Sequence, residues 1–287
     1  MGRFVIVADS ASDITPEIAE RYGIEVVKMH VTIGDETIDD GDMSSEEMFR
    51  RCEELDVMPR TSGSNPGDFG AAFDRIHEEQ PDAQIIYAAY SAVTTVSYES
   101  ALIAAEGRDY VHAIDTKQVS AGILAVLVGT ARYLDGHPEA SVDDVLACVA
   151  DLSGRTHMSF IPGDLGYLRA GGRLSNAAFL GARVLNIKPV IEIIDGRLVA
   201  TKKLRGSMRR AIIKLLDQMT DDGAAPLETD HVFLLRGAGF PERVQMAVTD
   251  HLHEQGFGEI EWIDTGNVIS SHSGPGSFGA VFVDEQA

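Results

Sequence analysis

The sequence predicts an α/β protein with two lobes: an N-terminal parallel α/β/α sheet and a C-terminal α/β domain with a mixed or antiparallel sheet. Apolar runs such as 4–8 alternate with helical patterns and end at polar residues, as in parallel βα units. In the second half, Asp195-Gly196 separates two β-type segments and is the strongest hairpin signal in the chain. The 287 residues, 44% of them hydrophobic, suffice for two modest domains.

The first lobe follows from a succession of strands, polar loops and helices. The strand at 4–8 ends at Asp9 and Ser10, and Thr15 and Pro16 then begin a short helix. The later elements are a strand at 26–33, a helix from the capping box at 44–47 to 54, a helix near 67–79, a strand at 84–89, a helix through 106, a strand at 110–114, and helices at 120–134 and 141–154. Since the carboxyl ends of parallel strands share one edge of the sheet, we expect a polar site there.

The second lobe begins with the hairpin. Its strands are predicted at 189–194 and 197–201, because Asp-Gly suits the two positive φ angles of a type I′ turn. The elements that follow are a helix at 207–219, a strand at 231–235, a helix at 241–255, and strands at 259–264 and 280–283. We place the domain boundary after residue 156, giving lobes of 1–156 and 157–287.

Composition narrows the class of protein. The formal net charge of −21 argues against nucleic acid as a partner, because phosphate contacts would oppose the field of the whole molecule. No stretch approaches the ~20 apolar residues of a membrane span, so we expect a cytosolic protein without stable membrane insertion. The two cysteines, Cys52 and Cys148, have no metal-binding spacing. We therefore expect no disulfide, no metal and no cofactor.

Basic residues are concentrated in one part of this acidic chain. Residues 151–214 contain 12 of the 24 Lys and Arg and only four Asp and Glu. Within them, Arg169 and Arg173 flank Gly171-Gly172, a pattern that suits an anionic group held close to the main chain. For the basic residues at 202–210, a solvated helix face is the alternative.

Small polar side chains cluster at the predicted strand ends of the first lobe. The candidates are Asp9, Ser10, Thr61, Ser62, Ser91, Thr95 and Ser97. Each hydroxyl alone is as readily explained as a helix cap, but their clustering suits the binding of a carboxylate or phosphate oxygen. His272 lies in a predicted flexible loop that can reach over a bound acid, and a solvent-exposed turn histidine is the alternative.

The sequence gives only weak indications of a hydrolase, a nucleotide-binding loop or a calcium site. No nucleophile and base are paired in a hydrolase pattern, and the glycine-rich stretch 274–279 lacks the Lys-Ser/Thr of a phosphate loop. Asp39, Asp40 and Asp42 do not have the spacing of a calcium loop, and a solvated acidic turn explains them.

Several motifs together resemble the DegV family of bacterial fatty-acid-binding proteins, one branch of which is the acyl-carrying subunit of fatty acid kinase. The resemblance spans the chain. The motifs are Val7-Ala8-Asp9-Ser10 with Asp13, Thr61-Ser62 followed by Pro66-Gly67, Ser91 through Ser97-Tyr98, Tyr167-Leu168-Arg169-Ala170-Gly171-Gly172-Arg173, Ile187-Lys188-Pro189, Arg205, and His272-Ser273-Gly274-Pro275-Gly276. The chain departs from the family pattern at Gly63-Ser64 and Val96-Ser97.

The resemblance implies a two-lobed DegV-like fold with a long-chain fatty acid in a tunnel between the lobes. It implies that Thr61 and a hydroxyl among residues 91–97 bind the carboxylate, and that His272 approaches it. By the same resemblance, Arg169 and Arg205 serve the head group or the docking of a kinase that phosphorylates the carboxylate. Candidates for the tunnel lining are the apolar segments 123–128, 179–180 and 184–185, for which core packing is the alternative.

Two other functions stay open at this point. One is a phosphotransferase or hydrolase that uses Asp9, Ser10 and the basic 169–210 segment. The other is a regulatory module whose basic segment docks an acidic partner. Turnover by the isolated chain would favour the enzyme over a non-enzymatic lipid-binding subunit.

Overall fold

The computed structural model describes residues 4–173, 187–221 and 226–286. The first elements are β1 (Phe4–Asp9), α1 (Pro16–Tyr22), β2 (Ile24–Val27), β3 (His30–Ile33), β4 (Glu36–Asp39), α2 (Ser45–Leu55), β5 (Arg60–Ser62), α3 (Pro66–Glu79), β6 (Gln84–Ala89), α4 (Ser97–Ala105), β7 (Val111–Asp115), α5 (Ala121–Gly136) and α6 (Val142–Arg155). They are followed by β8 (Thr156–Ile161), α7 (Leu165–Ala170), β9 (Ile187–Ile194), β10 (Arg197–Arg205), α8 (Met208–Asp221), β11 (His231–Arg236), α9 (Glu242–Glu254), β12 (Glu259–Asp264), α10 (Asn267–Ser273) and β13 (Phe278–Val283). The predicted α/β class is confirmed.

Contacts divide the chain into two compact units. Among the described residues, unit 1 contains those up to 30, 62–156 and 195–197, and unit 2 contains the others. Unit 2 therefore includes residues 31–61, which the division after residue 156 places in the first lobe. Hydrogen bonds explain this membership: Ser45 Oγ donates to the Thr265 carbonyl at 2.8 Å, and Val268 N donates to Asp40 Oδ1 at 3.1 Å.

The same contact corrects the prediction of a solvated acidic turn. Asp40 is 2% exposed. Its carboxylate accepts a hydrogen bond at the start of α10, so it caps a helix that is remote in the sequence. For Asp40 the prediction is wrong.

Unit 1 contains a four-stranded parallel sheet in the order β2-β1-β6-β7. Alternate residues of β1 enter cores on opposite faces of this sheet. Val7 packs in one cluster with Phe69 of α3, and Ile6 packs in another with Ile123 of α5. Because helices cover both faces, the strands are continuous apolar runs rather than alternating ones, as the sequence predicts.

The strand predicted at 26–33 is two strands, β2 and β3, which belong to different sheets. Between them, side chains bind the backbone. Met29 N donates to Ser10 Oγ at 3.0 Å, and the Lys28 carbonyl accepts from Ser64 Oγ at 2.8 Å. Both bonds lie directly after Val27, the last residue of β2.

Unit 2 contains a mixed six-stranded sheet in the order β10-β9-β8-β13-β11-β12. Strand β11 pairs parallel with β12 and antiparallel with β13, and β8 pairs antiparallel with β9. The predicted hairpin is confirmed, with φ angles of 48° at Asp195 and 77° at Gly196 between β9 and β10. Leu215 and Leu216 of α8 are buried against this sheet with Val248 of α9. A smaller sheet has the order β4-β3-β5.

Candidate functional site

Thr61 and His272 meet in unit 2. Thr61 lies in β5, and His272 lies in the last turn of α10 rather than in a flexible loop, so the loop prediction is wrong. Thr61 Oγ1 is 2.9 Å from His272 Nε2. Both side chains are half-buried. The pair therefore offers hydrogen-bonding atoms carried by a strand and a helix.

His272 is neutral at pH 7. Burial, with a smaller contribution from the Arg173 charge, lowers the pKa of His272 to about 4. Its Nδ1 atom is buried and has no hydrogen-bond partner among the described residues. The imidazole thus acts here as a hydrogen-bonding group and not as a cation.

The two glycines after α7 have different tasks. Gly172, with a φ of 73°, is the left-handed residue of a Schellman motif, in which Gly172 N donates to Arg169 O at 3.0 Å and Arg173 N to Leu168 O at 2.8 Å. Gly171 instead makes room for the imidazole: a Cβ there would lie 2.2 Å from His272 Nδ1. The pair therefore both ends the helix and admits the His272 ring.

The arginines of the predicted site lie at the surface of unit 2. Arg169 is in the last turn of α7, Arg205 is the last residue of β10, and both are exposed. Arg173 is also exposed; its Nη1 donates to the Gly171 carbonyl at 2.6 Å, and its charge acts on His272. Arg173 is thus coupled electrostatically to the Thr61–His272 pair.

Unit 1 brings together other predicted hydroxyls. Thr95 Oγ1 lies 3.2 Å from Ser97 Oγ, which also accepts from Ser64 N at 3.2 Å. A Cβ on Gly63 would lie 2.6 Å from both hydroxyl oxygens. Gly63-Ser64, where the sequence departs from the DegV family pattern, therefore lies directly against this pair of hydroxyls.

Ser91 and Ser62 differ from that pair. Ser91 is fully buried, and its Oγ donates to the Gly196 carbonyl at 2.8 Å, so its proton is used in a hydrogen bond within unit 1. Ser62, the last residue of β5, is exposed.

Asp9 and Ser10 are buried at the carboxyl end of β1. Asp9 Oδ2 accepts from the Tyr87 hydroxyl at 2.7 Å and from Tyr90 N at 3.1 Å. Burial raises the pKa of Asp9, and hydrogen bonds from Tyr87, Tyr90 and Ser97 oppose that rise. Ser10 accepts from Met29 N. The sequence analysis did not single out Tyr87. It could have done so, because a tyrosine inside a buried strand needs a hydrogen-bond partner for its hydroxyl.

The glycine-rich stretch after His272 is packed against the loop before α7. A Cβ on Gly163 would lie 1.8 Å from the Pro275 carbonyl oxygen, and Gly163 N donates to the Ser273 carbonyl at 2.9 Å. The backbone around Pro275 is therefore engaged within unit 2.

Of the apolar segments that are candidates for a tunnel lining, one is described by the structure and two are not. The segment 123–128 lies in α5, and Ile123, Val126 and Leu127 belong to the core of unit 1. The segments 179–180 and 184–185 lie outside the described residues.

Among the residues that the structure describes, one group of side chains in unit 2 has the types and spacing of metal ligands. His231, Glu259 and Glu261 place ligand atoms within 4.8 Å of one another. His231 Nε2 lies 2.8 Å from Glu261 Oε2. A His–Glu pair accounts for this geometry.

No helix within the described ranges combines the length and the apolar character needed to cross a bilayer.

Known proteins match this chain along its length. The family model described as "Uncharacterised protein, DegV family" matches residues 3–285. A DegV domain-containing protein of Streptococcus pyogenes is 31% identical over 293 residues, covering 98% of this chain and 97% of its own length.

Solved structures match as well. One described as "Fatty Acid Binding of a DegV family Protein from Thermus thermophilus" has a TM-score of 0.86 and 27% identity, covering 99% of this chain and all of its own. The Streptococcus pneumoniae fatty acid kinase B3 protein loaded with linoleic acid has a TM-score of 0.84 and 18% identity over 99% of this chain and 100% of its own, a likeness of fold. The chain belongs to the DegV family.

Proposed function

We propose that this DegV protein binds a long-chain fatty acid and presents its carboxylate to a partner kinase, without catalysing a reaction itself. The observation that carries the proposal is the Thr61–His272 pair at 2.9 Å, next to the charge of Arg173. The Thermus thermophilus relative, which is described as fatty-acid-binding, supports the ligand class.

The chemistry of the pair suits a carboxylate that must stay reactive. Thr61 and a neutral His272 can hydrogen-bond an oxygen without forming a buried ion pair, and the exposed Arg173 supplies attraction for the negative charge. The head group is therefore oriented without being buried as a fixed ion pair.

The acyl tail supplies most of the affinity in this proposal. Burying about 15 methylenes at roughly 0.8 kcal/mol each contributes up to about 12 kcal/mol before ordering costs. A hydrogen bond contributes about 1 kcal/mol. The tail thus sets affinity and the polar groups set orientation. The inter-lobe tunnel and a contribution from Ser91, Thr95 or Ser97 stay predictions.

The second part of the proposal is the phosphorylation of the bound fatty acid by a partner kinase. The partner would bring the nucleotide and phosphorylate the carboxylate oxygen. Exposed Arg169 and Arg205 offer cationic groups for docking it. A cytosolic location, where such a kinase meets its nucleotide, stays a prediction.

The alternative of an enzyme using Asp9 and Ser10 has less support. A general base or nucleophile must reach substrate, whereas Asp9 is fully buried and Ser10 is 9% exposed. Their hydrogen bonds with Tyr87 and Met29 hold the interior of unit 1.

Mass spectrometry of a solvent extract of the purified protein tests the binding proposal. We expect a fatty acid in near-equimolar amount, or uptake of oleate or palmitate by protein stripped of lipid. A ligand-free protein that also fails to bind both acids would contradict it. For the kinase step, acyl phosphate must form only when protein, fatty acid, ATP and a bacterial fatty acid kinase are all present.

A further inference from the structure

The surroundings of His272 decide which of its ring nitrogens carries the proton. A neutral imidazole has one N–H, and the lowered pKa makes the ring neutral at pH 7. Nε2 faces the Thr61 hydroxyl, which can either donate or accept, so that contact alone does not choose the tautomer. The choice rests on Nδ1.

Nδ1 faces a position that offers no acceptor. It is buried without a hydrogen-bond partner among the residues described, and it lies 2.2 Å from the position that a Cβ of Gly171 would take. A proton on Nδ1 would be a buried, unsatisfied donor, which proteins rarely contain. A bare Nδ1 lone pair next to the Gly171 Cα is the less costly arrangement.

We propose that Gly171 is a positioning residue that fixes His272 as the Nε2–H tautomer, so that His272 donates to Thr61 Oγ1 and the Thr61 hydroxyl proton is left for the ligand. His272 Nε2–H then donates to Thr61 Oγ1, and the Thr61 hydroxyl donates to the ligand. The site becomes selective for a ligand oxygen that accepts a hydrogen bond.

This inference rests on the proposed function for its ligand, a carboxylate. A carboxylate accepts about twice as strongly as a neutral oxygen, so an oriented Thr61 donor favours a fatty acid over the alcohol of equal length. Without the Nε2–H donor, the Thr61 proton would instead be used on His272. Selectivity for the acid would then be lost.

The tautomer can be read directly in the lipid-free full-length protein. Long-range ¹H–¹⁵N correlation at pH 7 distinguishes protonated from bare ring nitrogens, and a His272→Gln spectrum assigns the signals among the nine histidines. We expect a protonated Nε2 and a bare Nδ1. A protonated Nδ1, alone or together with Nε2, would overturn the inference. Because no lipid is present, this result is independent of the proposed function.

Head-group selectivity tests the consequence. Dissociation constants of palmitate and of hexadecanol are compared for the wild type, Thr61→Ser and Thr61→Val. We expect the preference for the acid to fall about tenfold in Thr61→Val and to be kept in Thr61→Ser, which retains the donor. An unchanged preference in Thr61→Val would overturn the donor role, whereas a wild type that binds neither lipid would contradict the proposed function instead.

Gly171→Ala tests the positioning role, with Gly154→Ala as its control. The added methyl of Gly171→Ala must displace the ring, whereas a Cβ on Gly154 meets nothing within 4 Å. We expect Gly171→Ala to change the ring-nitrogen signals of His272 and to lower the acid preference as Thr61→Val does. Gly154→Ala should behave as wild type. Wild-type signals and selectivity in Gly171→Ala would refute the role of Gly171.

Discussion

In unit 2 the buried titratable group beside the hydroxyls is a histidine, and in unit 1 it is an aspartic acid. Burial moves their pKa values in opposite directions: it lowers that of His272 to about 4 and raises that of Asp9. Each shift favours the neutral form. His272 is therefore uncharged at pH 7, burial disfavours the charged form of Asp9, and Arg169, Arg173 and Arg205 of unit 2 remain exposed.

The two groups differ in what they bind. Asp9 Oδ2 is bonded to Tyr87 and Tyr90 inside unit 1, so its hydrogen bonds hold the fold. His272 is bonded to Thr61, which is half-buried and retains a hydroxyl for a further partner. A titratable group beside hydroxyls thus serves stability in one unit and, as we propose, ligand orientation in the other.

Asp9→Ala should give the largest effect. It leaves the Tyr87 hydroxyl and Tyr90 N–H without their acceptor, and we expect the free energy of unfolding to fall by about 3 kcal/mol. Urea denaturation measures this change. Thr61→Ala, the matched change in unit 2, should cost no more than about 1 kcal/mol. Equal losses would abolish the distinction between the two units.

The pH dependence of stability should differ in sign between the two groups. His272 is neutral in the folded state down to about pH 4, whereas in the unfolded chain it takes up a proton near 6.5. Its contribution, up to about 3 kcal/mol, is therefore present above pH 6.5 and lost as the pH falls to 4. Asp9 has the opposite effect because its pKa is raised in the folded state. Its contribution to the free energy of unfolding declines as the pH rises above 3.8.

Denaturation curves from pH 4 to 8 check this difference. His272→Gln should flatten the rise in unfolding free energy between pH 4 and 6.5. Asp9→Asn should leave that rise in place. A His272→Gln protein with the wild-type profile would show that His272 does not carry this dependence.

Thr61→Ala should affect transfer more than binding. We expect palmitate affinity to fall about fivefold, the equivalent of one hydrogen bond, because the tail provides most of the binding energy. The rate of acyl phosphate formation with a fatty acid kinase should fall further, because orientation is lost. Equal losses in both assays would contradict the division of labour between tail and head group.

Arg173→Gln should give the smallest effect. Removing this charge should raise the pKa of His272 by less than one unit, since burial is the larger cause of its lowered value. An NMR titration of the His272 ring measures it. A return of the pKa to about 6.5 would mean that the guanidinium, and not burial, keeps the ring neutral.

The sequence predicted strands β1, β6 and β7 of the parallel sheet, the hairpin and the candidacy of Thr61 and His272, because local patterns encode them, but it joined β2 to β3. It did not predict α10, since its Asn- and Ser-rich residues have weak helix propensity. The carboxylate that accepts from its first turn belongs to Asp40, which is more than 200 residues away in the chain.

The fit between Gly171 and His272 was also beyond the sequence. Paired glycines after a helix suggested an anion near the main chain, but one ends α7 and the other faces a ring 101 residues later in the chain. Only tertiary structure gives that proximity. The same holds for Asp9 and Tyr87, which lie on neighbouring strands β1 and β6.

The most direct test of the central claim locates the bound head group. Isotope-filtered nuclear Overhauser spectra of the full-length protein with [2-¹³C]palmitate report which protons lie near the carbon next to the carboxylate. We expect contacts to the Thr61 methyl and the His272 ring. A bound palmitate whose C2 protons contact neither residue would contradict it.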